Sequence, residues 1–400
     1  MVGLGEHYFS PYAVSIGATD FLIGLLGSLP LLFGSLAQLA SPSLIQLFGS
    51  RRHIVRIGIL LQALCFIPIL WIIQGNGART PFWFLLFVIA YWVFQLTLST
   101  PWQSWIGDLV PKDQRGRYFS LRSRWIQLAT FFSIVVGGAL LSKFNFQLIF
   151  MLAMVGRFIS LAFSLLQEEP TYSSPPEAQF TLTQFVKKMG FNNYGLFVIY
   201  ISLFYMSCHI AAPYFVPYVF RELKFSYLQY MIVHAVFIGS KSLFLPIWGH
   251  YSDRYGSRKL LALSGFLLPI VPILWLFTRN YYGIIAIHFV TGFGWAGFEL
   301  CSFNFILDCT TPEKRARCSS YYQLFNGVGT VVGAVLGGLL LKYNLFFSIP
   351  YYFVFLVSGI GRFLFSLLFI PKLKEMRTVH PISYKSLLVR IFLFLKPGPS

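Results

Sequence analysis

The sequence predicts an all-α membrane protein of twelve spanning helices, arranged as two six-helix bundles. Composition, the spacing of apolar runs and a repeat of charged loops point to it together. The 400 residues are 56% hydrophobic, 19% aromatic and only 11% charged, with a mean hydropathy of +0.67. A soluble domain carries about 25% charged residues, and thirteen acidic side chains cannot keep a soluble surface of this size wet. Twelve units of about 33 residues each leave room for a helix of roughly 20 residues and a short loop.

The apolar runs place spans at about 1–17, 21–48, 54–73, 82–104, 125–142, 146–166, 194–219, 225–248, 260–278, 281–306, 319–341 and 347–370. Glu6 and His7 interrupt the first run, so no cleavable signal peptide is read there. That run is also short, and the first helix is expected to be abbreviated, its beginning lying upstream of Met1. Pro30, Pro68, Pro246, Pro269 and Pro272 fall inside spans, where neighbouring helices can satisfy the backbone groups they free. The longest polar stretch runs from Gln167 to Tyr194 and separates six spans from six. The expected organisation is a bundle over 1–166, a cytoplasmic central loop over 167–193, a second bundle over 194–370 and a basic tail over 371–400.

The net charge of +18 raises the question of nucleic acid, and the position of the charges answers it. If the loop from Gly49 to His53 is cytoplasmic, the loops on that side and the tail hold 22 of the 31 Lys and Arg residues. The opposite loops hold Arg79, Lys143, Arg221, Lys224, Arg279 and Lys342, and three basic residues lie within spans. This asymmetry is the positive-inside pattern, which orients a polytopic protein. It predicts a multi-pass protein of the cell (inner or plasma) membrane with both termini cytoplasmic, in contact with lipid and without a nucleic-acid partner. The five cysteines show no CxxC spacing and no His cluster, so they are read as small apolar residues or reduced thiols, with no metal site.

The halves repeat. Asp108-x6-Arg115-Gly116-Arg117 returns as Asp308-x6-Arg315-Ala316-Arg317, offset by 200, and Gly137-Gly138 returns as Gly337-Gly338. Gly156-Arg157-Phe158 matches Gly361-Arg362-Phe363 at 205, and Gly49-Ser50-Arg51-Arg52 matches Gly256-Ser257-Arg258-Lys259 at 207. Four ordered matches indicate a duplicated six-helix unit, a parallel repeat found in many transporters.

With these loops in view the chain resembles the major facilitator superfamily over its whole length. The most specific element is the eleven-residue loop Gly249-His250-Tyr251-Ser252-Asp253-Arg254-Tyr255-Gly256-Ser257-Arg258-Lys259. Its first-half copy has decayed: Gln46 stands where the Asp belongs and Pro42 where the first Gly belongs. The Asp-x6-Arg loops are similar to those of sugar-porter-like members, and Glu168-Glu169-Pro170 sits where those members place an acidic partner. The resemblance implies a cytoplasmic latch of Asp253, Arg254, Gly256, Arg258, Lys259, Asp108, Arg115, Arg117, Asp308, Arg315 and Arg317. That latch would close in the outward-open state and break as the halves rock. In it Arg258 and Lys259 hold to carboxylates and lipid phosphates; the competing reading of the same loops is a tight, positive-inside topology anchor.

Ionisable residues within spans carry the chemistry, because charge at the bilayer centre is costly and usually functional. Glu299 lies nine residues before Asp308, about 14 Å at ~1.5 Å per residue, near the midplane. The resemblance implies that spans one, four, seven and ten line the cavity, which makes Glu299 and Glu6 cavity carboxylates able to bind and release protons, or members of structural pairs. Lys241, about 18 Å before Asp253 on span eight, can neutralise Glu299 or attract an anionic group. His209 and His234 can shuttle protons, donate hydrogen bonds to substrate, or simply pack. Arg157 and Arg362 are read as structural, tied to cytoplasmic helix ends. Trp92, Gln95, Trp295, Asn304, Gln323 and Asn326, with Tyr91, Tyr200, Tyr205 and Tyr322, supply aromatic, amide and hydroxyl groups suited to sugars, nucleosides and similar solutes. Tyr and Trp also crowd membrane interfaces, so these residues alone do not name the solute.

Gly329, Gly333 and Gly337, spaced by four, predict a close helix contact. Span five has no proline between Ile126 and Leu141, a departure from proton-antiporting drug exporters. In the tail, 386–395 is too short to span and reads as an interfacial helix on anionic lipid. The expected function is therefore secondary active transport of a small polar organic solute, proton-coupled, by a monomer of major-facilitator fold. It needs no cofactor and has no catalytic residue, because no enzyme or nucleotide-binding motif accompanies these features. The alternatives are drug or metabolite efflux, or a non-transporting scaffold or receptor, the last suggested by the degraded Gln46 loop and the short first helix.

Overall fold

The computed structural model describes residues 3–75, 80–110, 115–169, 181–344 and 346–392, and among them every regular element is helical. A 3-10 turn at Glu6–Tyr8 leads into α1 (Phe9–Ser15), followed by α2 (Asp20–Leu26), α3 (Leu29–Gln38), α4 (Ser41–Phe48) and α5 (Arg51–Gln74). Then come α6 (Thr80–Leu109), α7 (Arg115–Leu141), α8 (Phe146–Leu165), α9 (Leu182–Lys188), α10 (Asn193–Ala211) and the single turn α11 (Phe215–Pro217). The remainder is α12 (Tyr227–Tyr255), α13 (Ser257–Leu267), α14 (Ile270–Leu274), α15 (Tyr281–Cys309), α16 (Pro312–Lys342), α17 (Pro350–Phe369) and α18 (Tyr384–Phe392). Ten helical stretches among the described residues are long and apolar enough to cross a membrane, and Trp125–Leu141 within α7 is a shorter apolar one.

Local chemistry sets the boundaries. Thr19, Ser50 and Asn145 cap α2, α5 and α8, each side chain accepting the backbone N–H three residues on. Thr181 and Gln184 form a reciprocal capping box on α9. Gly49 and Gly256, the duplicated loop glycines, both adopt positive φ, 62° and 92°. This left-handed turn separates α4 from α5 and α12 from α13, and glycine takes it without steric cost.

Proline breaks the span expected over 260–278 into α13 and α14. Pro269 and Pro272 lack the N–H groups that would cap the carbonyls of Gly265 and Leu268. α17 supplies both donors: Ser366 Oγ lies 2.9 Å from the Gly265 carbonyl, and Arg362 Nη1 3.2 Å from that of Leu268. Arg362, itself buried, also reaches the Cys208 carbonyl at 3.5 Å. Its partners are carbonyls of the buried break, which replaces the expectation that it is tied to cytoplasmic helix ends.

Packing gathers the chain into two compact units. Unit 1 comprises Met1–Pro175, Ala212–Ala235 and Thr330–Tyr343; unit 2 comprises Pro176–Ala211, Val236–Gly329 and Asn344–Ser400. The short α1 is held in unit 1 by rings. Phe9 lies 5.9 Å from Phe84 and 5.8 Å from Phe150, while Tyr12 meets Phe84 at 4.9 Å and Phe150 at 5.6 Å, mostly edge to face. In unit 2, Phe204 stacks on Phe298 at 4.3 Å. A Cβ on Gly329 would stand 2.6 Å from the Ser202 carbonyl, so this glycine lets α16 and α10 touch.

Candidate functional site

In unit 2 four helices converge on one ion pair. α12 carries Lys241 and α15 carries Glu299, and Lys241 Nζ contacts Glu299 Oε2. A close helix contact sets this up: a Cβ on Gly292 would lie 2.5 Å from the Phe237 carbonyl and 2.8 Å from the Lys241 amide nitrogen. Ser240 Oγ donates to the Phe289 carbonyl at 2.6 Å in the same contact. Glu299 follows Gly292 by seven residues and so shares its helix face. From α10 and α16, Tyr205 and Tyr322 bring their phenols within electrostatic range of Glu299. Tyr205 packs against Trp295 at 5.7 Å and Phe298 at 6.3 Å, and Tyr322 shares a side-chain hydrogen bond with Asn326. His209 Nδ1 donates to the Tyr205 carbonyl at 3.0 Å. The Glu299 side chain keeps 41% of its surface accessible, so the pair is within reach of a solute. Gln323 is exposed on α16, while Asn304 Nδ2 bonds Ser252 Oγ at 3.2 Å and thereby belongs to the loop network described below.

A second polar cluster lies in unit 1. Tyr91 Oη donates to Glu6 Oε1 at 2.7 Å; Arg157 Nη2 donates to Tyr91 Oη and to Gln95 Oε1, both at 2.8 Å. Arg157 stands 4.0 Å from the Glu6 carboxylate, and Gln62 Nε2 donates to Gln95 Oε1 at 2.5 Å. Arg157 therefore belongs to a side-chain network and not, as its sequence position suggests, to a cytoplasmic helix end. Trp92 packs edge-on against Tyr91 at 6.4 Å. His234 Nε2 lies 2.9 Å from His7 Nδ1, and Tyr230 stacks on the His234 ring at 6.2 Å. His7 and Gln62 escape sequence reasoning, because neither carries a net charge nor repeats; the only hint for His7 is its place beside Glu6.

The duplicated loops are organised by duplicated acids. In unit 1, Glu169 follows α8 and accepts from Ser50 Oγ at 2.6 Å and from Arg51 N at 2.8 Å, at the start of α5. Arg51 Nε adds a 3.3 Å contact. Burial opposes the charged form of Glu169, yet the hydrogen bonds from Ser50, Arg51 and Arg52 outweigh it and hold the carboxyl below its usual range. In unit 2, Glu375 follows α17 and accepts from Arg258 N at 2.9 Å, at the start of α13. A Cβ on Gly256 would collide with the Glu375 carboxylate, so this glycine also makes room for the acid.

The tail completes the second loop. Arg377 Nε donates to Asp308 Oδ1 at 2.6 Å and its guanidinium lies 3.9 Å from Asp253 Oδ1, bringing together the acid of the repeated Asp-x6-Arg loop and the acid of the eleven-residue loop. Ser257 Oγ reaches Asp308 at 3.5 Å, Lys259 Nζ donates to the Ile382 carbonyl at 3.2 Å, and His380 N to the Arg254 carbonyl at 3.1 Å. On α18, Leu387 and Ile391 are buried and Arg390 Nη1 donates to Tyr255 Oη at 3.1 Å, so one face of this helix packs on protein. Arg317 is half-buried. The side chains of Pro42, Gln46, Asp108, Arg115, Arg117 and Arg315, and residues 170–180 and 393–400, lie outside the described residues.

A bundle of apolar helices with charged loop networks and two internal polar clusters has the make-up of a multi-pass membrane protein. The family profile of the Major Facilitator Superfamily matches residues 7–216 and again 196–396, and the chain belongs to that superfamily. It is 23% identical over 352 residues to the multi-drug resistance efflux pump PmrA homolog of Lactococcus lactis, covering 84% of this chain and 82% of the relative. Two further curated matches are partial, spanning 24% and 26% of the relatives' own length. Among solved structures, a mutant form of the nucleoside transporter NupG superposes with a TM-score of 0.72 at 15% identity, over 93% of this chain and 96% of that one. A D-xylose-proton symporter does so at 0.71 and 14%, over 94% and 93%. At these identities the likeness is one of fold.

Proposed function

We propose that the protein is a secondary active transporter that moves a small polar organic solute together with protons by alternating access. The observation that carries this reading is the Lys241–Glu299 pair, set among Tyr205, Trp295, Phe298 and Tyr322 from four helices. A carboxylate that exchanges a lysine for a proton is a coupling group, and the aromatic surround offers flat apolar faces to an organic solute. The Glu6–Tyr91–Arg157 cluster is a second proton-competent element, while Asp253, Asp308, Arg258 and Lys259 serve as the gating loop. The protein works as a monomer in the cell membrane with its basic loops cytoplasmic, as the distribution of Lys and Arg favours. Uptake into proteoliposomes under an imposed inside-alkaline pH gradient tests the reading: the wild type accumulates solute and Glu299→Gln loses the gradient-driven part. Equal uptake with and without the gradient contradicts it. Efflux is the second reading, favoured by the long match to the PmrA homolog; export of the same solute from loaded vesicles distinguishes it.

A further inference from the structure

The Lys241–Glu299 pair constrains the charge of the solute. Among the described residues of unit 2, the Tyr205 phenol from α10 and the Tyr322 phenol from α16 come within electrostatic range of Glu299; Trp295, Phe298 and His209 pack on Tyr205. Within this described set, the only opposite charges in contact are Lys241 and Glu299 themselves. Opening the pair takes from each half-buried ion its charge-assisted partner, and a solute that carries the missing charge restores that bond. A cationic solute on Glu299 strands the Lys241 ammonium. A neutral solute either leaves the pair shut or strands both ions. A proton on Glu299 neutralises the carboxylate and frees Lys241 alone, and the group that then satisfies Lys241 is an anion. Resting on the proposed coupling role of Glu299, the geometry points to an organic carboxylate as the solute, bound by Lys241 when Glu299 is protonated, with its organic part against Tyr205 and Trp295.

Proton and carboxylate thus favour each other's binding, and the reciprocity is obligatory. They cross as an electroneutral pair: the proton rides on Glu299, the solute's negative charge rests on Lys241, and release of both restores the ion pair. A zwitterion behaves differently, since its ammonium and its carboxylate satisfy both partners without a proton.

The test uses the purified full chain and a size-matched series: acetate, lactate and benzoate as anions, benzylamine as cation, phenylalanine as zwitterion and benzyl alcohol as neutral member. At about 10 mM, at least one carboxylate raises the thermal midpoint of Glu299→Gln, a mimic of the protonated acid, by about 2–4 °C, and that of the wild type by less. Lys241→Gln removes the stabilisation, and Lys241→Arg retains part of it, which separates loss of the charge from loss of the fold.

Three results overturn the proposal: no carboxylate binds the wild type, carboxylate binding survives Lys241→Gln, or the amine, alcohol or phenylalanine binds better than every carboxylate. Its failure is distinct from failure of coupled transport. Proton-driven uptake of benzyl alcohol that depends on Glu299 and ignores Lys241→Gln sinks the anion and leaves coupling intact. Carboxylate binding that is lost in Lys241→Gln, with no proton movement in vesicles, sinks coupling instead.

Discussion

Arg157 and Arg362 occupy matching positions of the repeat, within Gly156-Arg157-Phe158 and Gly361-Arg362-Phe363, and do different work. Arg362 faces main chain: it donates to the Leu268 carbonyl that Pro272 leaves uncapped, and to Cys208. Arg157 faces side chains that can change protonation or rotamer: Tyr91, Gln95 and, at 4.0 Å, Glu6. The lesson is that what a neighbouring helix leaves unsatisfied decides the role of a membrane arginine. A broken helix turns it into a splint, whereas an intact helix bearing Tyr and Gln leaves it for a carboxylate.

The largest expected effect falls on the splint. Arg362→Leu orphans a carbonyl in apolar surroundings and costs about 2–4 kcal/mol in a thermal or detergent unfolding series. Adding Pro272→Ala restores the N–H that caps Leu268, so the double variant recovers at least about 1 kcal/mol of that loss. Additive losses break the comparison. Arg157→Gln is expected to cost less, about 1–2 kcal/mol, but to shift the pH dependence of transport, which Arg362→Leu does not touch at matched protein amounts. Identical pH profiles for the two variants erase the distinction.

The smallest effect concerns the loop acids. The Glu169 carboxyl is held below its usual range by hydrogen bonds to the α5 start. Its contribution is therefore fully present above the unfolded carboxyl range near pH 4.5 and is lost as pH falls through the lower folded value. Glu169→Gln is expected to lower stability by about 1 kcal/mol at neutral pH, as for loss of a helix cap, and to flatten the acid limb of the stability curve below about pH 4.5.

The all-helical membrane fold is legible in the sequence, because the length and spacing of apolar runs are strong signals. Glu299 is legible too, as an acid in an apolar run. Other features depend on tertiary approach. Pro269 and Pro272 announce free carbonyls, yet nothing in the order of residues says that Ser366 and Arg362 meet them. Arg377 reads as one tail cation among several, and only folding sets it between Asp308 and Asp253. His7 and His234, 227 positions apart, give no joint signal. The sequence leaves Lys241 open between neutralising Glu299 and drawing an anion; the contact between them appears only in three dimensions.

Proton movement itself is the most direct measurement. Proteoliposomes carrying a trapped pH-sensitive dye, without any imposed gradient, should acidify when transported solute is added outside, and Glu299→Gln vesicles should import solute without acidification. Solute import by the wild type with no change in internal pH, or equal acidification in wild type and Glu299→Gln, contradicts the assignment of Glu299 as the coupling group.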